Sequence, residues 1–359
     1  MSASGNSLTL EAPAARIFPR LYKLGAFIGL LVALLLAPLV IPITPLGLLG
    51  QFLALAILAI GLDLIWGYTG ILSLGQGVFF GLGGYLIAMH LKLQGLDPGE
   101  LPDFMTWSGI TSLPLVWQPL ESFWLTLSLM FVAPGLLAFL FALVVFRSRI
   151  RGVYFAIITQ ALAVGVSTLF VDLQAYTGGS SGLTSFQTIL GFSFYDNSTQ
   201  IGLYEVTVVL LALTLAALWW LTRSHFGTLL RAIRDGENRM RFLGYNPVTY
   251  KAFVFGVAGV CAALAGALYV PQNGIIAPAM LGVVPSIEMV IWVAIGGRGT
   301  IIGALIGTLL VSYLKYYLSN AYADFWLYLI GALFIGVVLF MPDGLMGLAR
   351  RLARRRVAA

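Results

Sequence analysis

The chain has 359 residues, of which 60% are hydrophobic and 9% charged, with a mean hydropathy of +0.96 and a formal net charge of +6. This balance excludes a soluble globular domain, and recurring apolar runs of membrane-spanning length indicate an all-α polytopic membrane protein. The single cysteine, Cys261, lies inside an apolar run, which excludes a disulfide or a cysteine-based metal site within one chain.

About ten transmembrane spans are predicted, at 24–41, 46–65, 71–92, 122–146, 152–173, 201–221, 252–270, 281–297, 300–318 and 325–341. With both termini cytoplasmic, every lysine and arginine falls on the inner side except Lys92 and Lys315. The outer segments then hold Asp97, Glu100, Asp103, Glu121, Asp196 and Asp324. The positive-inside rule therefore supports this orientation, and the charge is distributed for a membrane, not for a nucleic acid.

In chain order, residues 1–23 form a cytoplasmic tail, and the membrane-spanning body runs from 24 to 347. The run after the first basic residues is long, is followed by Pro42-Ile-Thr-Pro45, and lacks a small-x-small cleavage site, so it reads as a retained span. Asp63 sits near the inner end of span 2, where it either bonds to broken backbone beside Gly67–Gly70 or faces a solute path. Ser73 and Gln76 in span 3 and Gln160 in span 5 are uncharged polar groups at depth. Such groups suit a small polar solute, and packing between helices explains them equally well.

Gly77 and Gly81 have the four-residue spacing that lets helix backbones approach, as do Gly299, Gly303 and Gly307. The same glycines are candidates for hinges or breaks that leave irregular backbone along a path. The outer loops, about 93–121 and 174–200, are rich in Pro, Gly, Ser and Asn and have room for short interfacial helices. Glu288 lies a turn into the short span 8, after Pro285-Ser286, and is the charged candidate for lining a route. Lys315, toward the outer end of span 9, reads as a side chain that snorkels to the surface. A basic tail, 348–359, ends the sequence.

The stretch 222–247 carries five arginines, Arg223, Arg231, Arg234, Arg239 and Arg241, between two apolar runs. Phe226, Leu229, Leu230, Ile233 and Met240 fall on one helical stripe, which predicts an amphipathic helix over about 226–243. Asp235–Arg239 and Glu237–Arg241 are acid-before-base pairs at i, i+4. Gly244, then Asn246-Pro247, is the predicted stop. An ordered helix in a cytoplasmic loop suggests a surface for another protein, with the apolar stripe as its docking face.

Catalytic chemistry has little to work with. The chain has two histidines, His90 and His225, and lacks G-x-S-x-G, H-E-x-x-H and paired intramembrane aspartates. It also lacks a G-x-x-x-x-G-K-[ST] loop, so ATP-driven transport would need energy from another subunit. No catalytic residue and no metal ligand is expected in this chain.

The run Asp63–Tyr85 (DLIWGYTGILSLGQGVFFGLGGY) resembles the signature of branched-chain amino acid ABC importer permeases. So do Arg231-Ala-Ile-Arg-Asp235 through Gly244, and Ile295-Gly-Gly-Arg-Gly-Thr300 with Gly303; the resemblance covers about residues 50–347. Within that family the chain is most similar to the urea-type subunit, through residues 177–184, 239–247, 285–292 and 326–344. The resemblance implies a bacterial inner-membrane importer of urea, with branched-chain amino acids or short amides as the alternative. It implies a second permease, two cytoplasmic ATPases that supply ATP and Mg, and a periplasmic solute-binding protein; no cofactor would reside in this chain.

It also implies that the 226–243 helix is a coupling helix held in a groove of an ATPase. Phe226, Leu230, Arg231, Arg234, Asp235, Glu237, Arg239, Arg241 and Gly244 would then carry the contact. Where the family commonly has Ala-Ala after the loop glutamate, this chain has Asn238-Arg239-Met240, a departure that points to a dedicated ATPase. A passive channel or an ion-coupled transporter would share the hydropathy but not need the loop helix.

Overall fold

A computed structural model of the protein describes residues 29–97, 100–150, 152–322, 325–340 and 344–348. The tail expected at 1–23, all but Leu348 of the tail expected at 348–359, the start of the 24–41 span, Arg151 and Asp324 lie outside the described residues. Among the described residues, six helices are long and apolar enough to cross a membrane: α2 (Ile43–Thr69), α5 (Phe123–Arg147), α6 (Val153–Asp172), α8 (Asn197–Arg223), α10 (Pro247–Asn273) and α12 (Ile301–Ala321). They coincide with six of the predicted spans.

The other four predicted spans contain, among the described residues, shorter or less apolar helices. They are α1 (Gly29–Leu39), α3 (Gln76–Gln94), α11 (Val283–Gly296) and α13 (Trp326–Phe340). At about 1.5 Å per residue, a helix of 14 residues reaches about 21 Å, short of a hydrocarbon core about 30 Å thick. Spans 3 and 8 also begin with glycine-containing non-α-helical backbone, residues 71–75 before α3 and 281–282 before α11.

Helices α2 and α10 form the centre: 72% of the most apolar stretch of each is buried, against 22% for α6. Small residues permit this. Around α10, which packs on α2, α3 and α5, Gly83 of α3 lies on the Ala263 backbone and Gly266 of α10 on the Phe80 backbone. A methyl group at either site would meet main-chain atoms, so the two helices approach as glycine-rich membrane helices do. An aromatic cluster then ties four helices together. Phe255 meets Phe79 edge-on at 5.7 Å and Phe155 at 5.4 Å, and Phe155 stacks on Phe146 at 4.6 Å. The outer side of α5 exposes Val132, Leu136, Leu140 and Val144, as expected of a surface solvated by lipid.

Basic side chains gather at one end of the bundle. Helix α9 (His225–Phe242) crosses that end and packs on α2, α8 and α10. There Lys251, at the start of α10, stands 5.6 Å over the Phe146 ring, and Arg298 stands 5.4 Å over Trp66. At the other end lie the two long loops, whose described residues include local structure. They hold the short helices α4 (Asp103–Trp107) and α7 (Gln174–Thr177) and an antiparallel hairpin of β2 (Thr188–Ile189) with β3 (Phe192–Ser193). The short helices agree with the expectation for these loops. Strand pairing is an addition the composition did not indicate.

Candidate functional site

Two breaks in the helical backbone meet inside the bundle. Helix α2 stops at Gly70 (φ 73°), residues 71–75 run without helix, and α3 begins at Gln76. Helix α10 stops at Gly274 (φ 77°) and continues as β4 (Ile275–Ile276), a 3-10 turn over Pro278–Leu281, and α11. Strand β1 (Leu183–Thr184) of the long loop pairs with β4, and Gly182 (φ 69°) lies directly on the Ile276 carbonyl. Gly182 of the stretch 177–184 therefore serves a close approach to the second break.

Unpaired backbone at membrane depth requires internal partners, and neighbouring side chains provide them. Leu74 N–H donates to Thr159 Oγ1 at 3.0 Å, and Gly77 N–H donates to Ser286 Oγ at 3.2 Å. Ser286 Oγ donates to the Gly282 carbonyl at 2.9 Å, and Ser167 Oγ to the Pro278 carbonyl at 2.9 Å. Ser73 Oγ accepts from Gly75 N–H at 3.4 Å and from Gln76 Nε2 at 3.5 Å. Ser73, Gln76, Thr159 and Ser286 are all buried. One acceptor is left over: Gln76 Oε1 is buried without a hydrogen-bond partner among the described residues. The structure thus unites the predicted Ser73 and Gln76 with Thr159 and Ser286, which sequence reasoning missed. Gln160, beside Thr159, is half-buried and joins none of these bonds.

Asp63 lies at a third break, between α11 and α12. Its Oδ1 accepts from Gly299 N–H at 2.6 Å, and Gly299 adopts φ 72° against the backbone of Gly67. Of the two readings of Asp63, bonding to broken backbone is the contact observed, although the backbone belongs to another part of the chain. Gly77 and Gly81 pack against the second break at Ser286 and Leu281. Gly303 and Gly307 pack against the α11 backbone around Gly296 and Trp292.

Glu288 sits apart from the Ser286 face. Its carboxylate accepts from Lys315 Nζ at 2.9 Å and 2.7 Å, joining α11 to α12, and Lys315 also stands 5.1 Å from the centroid of the Trp326 ring. Lys315, expected to snorkel, forms an ion pair and keeps 37% of its side chain exposed. Opposite charges at membrane depth are better matched to each other than separated.

Helix α9 agrees with the predicted 226–243 helix to within a residue, with two differences. At Gly236 the backbone leaves helical geometry (φ −165°, ψ 63°), so α9 is two helical pieces. The break disrupts the Asp235–Arg239 pair: Asp235 Oδ1 instead accepts from Arg234 Nε at 2.9 Å, and Arg239 Nη2 reaches only the Asp235 carbonyl, at 3.5 Å. The Glu237–Arg241 pair lies beyond the break and forms at 2.8 Å, with Lys251 on the other carboxylate oxygen at 2.8 Å.

The second difference is the facing. Leu230, Ile233 and Met240 are buried, and Phe226 meets Phe253 and Tyr250 at 5.4 Å and 5.8 Å, so the apolar stripe seats α9 on its own bundle. It is not an outward docking face. Arg234 belongs to the same seating, donating from Nη1 to the Gly67 carbonyl at 2.6 Å. The outward surface comprises Arg231, Asp235, Asn238 and Arg239, and it ends in Phe242 and Leu243, 92% and 72% exposed. Gly244 (φ 86°) turns the chain, and Asn246 Oδ1 caps α10 by accepting from Val248 N–H at 3.2 Å.

Residues 44–338 match the family model described as branched-chain amino acid transport system / permease component. The chain is 27% identical to the high-affinity branched-chain amino acid transport system permease protein LivM of Escherichia coli K12 over 316 residues, 82% of this chain and 68% of that one. It is 26% identical to the corresponding protein LivH of the same strain, over 81% of this chain and 91% of that one. Its identity to the ribose import permease protein RbsC of Haemophilus influenzae is 22%, over 57% of this chain and 63% of that one. No solved structure matches the chain. The family match covers most of the sequence, including all three backbone breaks and α9, and the chain belongs to the family of branched-chain amino acid transport permeases.

Proposed function

We propose that this chain is a permease subunit of an ATP-driven importer of branched-chain amino acids in the bacterial inner membrane. The family match over 44–338 carries the reading, and the relatives named for branched-chain amino acids favour that solute over the urea suggested by residues 177–184, 239–247, 285–292 and 326–344. Ser73, Gln76, Thr159 and Ser286 would hold the re-entrant backbone along the route. The basic end would face the cytoplasm, and both termini with it.

In this reading a second permease completes the pathway, a periplasmic binding protein delivers solute, and two separate ATPase subunits bind ATP and Mg. The outward side of α9, with Arg231, Arg239 and Phe242, is the surface an ATPase would grip. The apolar stripe and Arg234 would then transmit its movement to α2. Uptake of labelled leucine and labelled urea into vesicles carrying the purified subunits tests the substrate. Saturable leucine uptake that excess urea does not inhibit is expected; uptake of urea alone would replace this reading with the urea one.

A further inference from the structure

At the basic end, an open cavity of about 420 Å³ lies between the end of α5, the last turn of α9 and the first turn of α10. Arg147, Arg149 and Arg241 line it with Asn246 and Thr249, and Leu143 contributes to an apolar wall. The charge here is unbalanced. Glu237 is engaged by Arg241 and Lys251, and Arg147 and Arg149 have no acidic partner among the described residues. Arg241 Nε is buried with no acceptor among the described residues. Val144, next to the lining residue Leu143 on α5, is 65% exposed, so the cavity adjoins the lipid-facing side of the bundle.

An apolar wall, a basic rim and a position at the edge of a membrane fit one chemistry. We infer that this cavity holds the phosphate-bearing headgroup of an anionic phospholipid, with its glycerol end against Leu143. The inference rests on the orientation proposed above, in which this end meets the cytoplasmic leaflet, but not on the identity of the imported solute. Because Arg241 belongs to the piece of α9 beyond Gly236, an occupied site fastens that piece to α5 and α10.

The full chain in nanodiscs of phosphatidylcholine, with and without phosphatidylglycerol, provides the test. Thermal unfolding and lipid retention in native mass spectrometry are the readouts, neither of which needs transport. Phosphatidylglycerol is expected to raise the unfolding midpoint and to remain bound. Retention should fall about fivefold for each arginine removed in Arg147→Gln and Arg149→Gln. The charge-keeping pair Arg147→Lys and Arg149→Lys should retain the lipid and guards against a folding defect. Equal midpoints in both bilayers would overturn the inference, as would stabilisation by inorganic phosphate alone, which would assign the site to a free anion. Undiminished lipid retention with lost ATPase co-purification in the glutamine variants would make it a protein contact and equally overturn it.

Discussion

Asp63 and Glu288 are carboxylates within apolar helices, and each is held differently. Asp63 accepts a backbone N–H from Gly299, and its Oδ2 is buried without a hydrogen-bond partner among the described residues, whereas Glu288 shares its two oxygens with Lys315. Asp63→Asn keeps an acceptor for that N–H, but Asp63→Ala leaves it buried and unpaired, at a cost of about 1–3 kcal/mol. The alanine variant should unfold several degrees below the asparagine variant in a thermal scan; equal midpoints would remove the bond from the account. Both carboxylates were legible in the sequence, since charge stands out in an oily helix. Their partners were not, because Gly299 lies 236 positions from Asp63 and only the tertiary fold brings them together. Thr159 and Ser286 escaped notice for a related reason: small hydroxyl residues are common in membrane helices, and only the geometry of the breaks makes them necessary.

The elements show the same division. Long apolar helices were readable from hydropathy alone, and the predicted bounds of α5, α6 and α8 agree closely with those observed. The short starts of α3 and α11 were visible only as glycine-rich sequence, because hydropathy does not register where the backbone leaves the helix. For α9 the periodicity identified the helix and its apolar stripe, but could not say what the stripe faces. The bundle below it supplies Tyr250 and Phe253, so the stripe is already covered. That leaves Phe242 as the prominent exposed apolar side chain at the end of the outward surface. A well-seated aromatic anchor contributes about 2 kcal/mol or more to an interface, so Phe242→Ala should weaken co-purification of the ATPase at least tenfold. The unfolding midpoint should change little, since the side chain has few internal contacts. Unaltered co-purification would move the contact elsewhere on α9.

At the scale of the molecule, the gathering of Lys251, Arg298 and the arginines of α9 at one end converts a sequence count into a three-dimensional polarity. Residues far apart in sequence share that end because the helices alternate in direction, which is the arrangement the positive-inside pattern requires. The native cysteine is buried, so introduced cysteines report topology without background. Arg231→Cys should react with a membrane-impermeant maleimide only in inside-out vesicles, and Asp103→Cys only in right-side-out ones; the opposite pattern would invert the proposed orientation. The most direct measurement of the whole account is ATP-dependent uptake of labelled leucine into vesicles bearing the complete importer. The native chain is compared with the Arg231→Glu and Arg239→Glu double variant, whose changed side chains point away from the bundle. The account predicts uptake that requires ATP in the native protein, and loss of that uptake in a variant that remains folded in the membrane. Uptake at the native rate by the variant, or leucine entry without ATP, would contradict it.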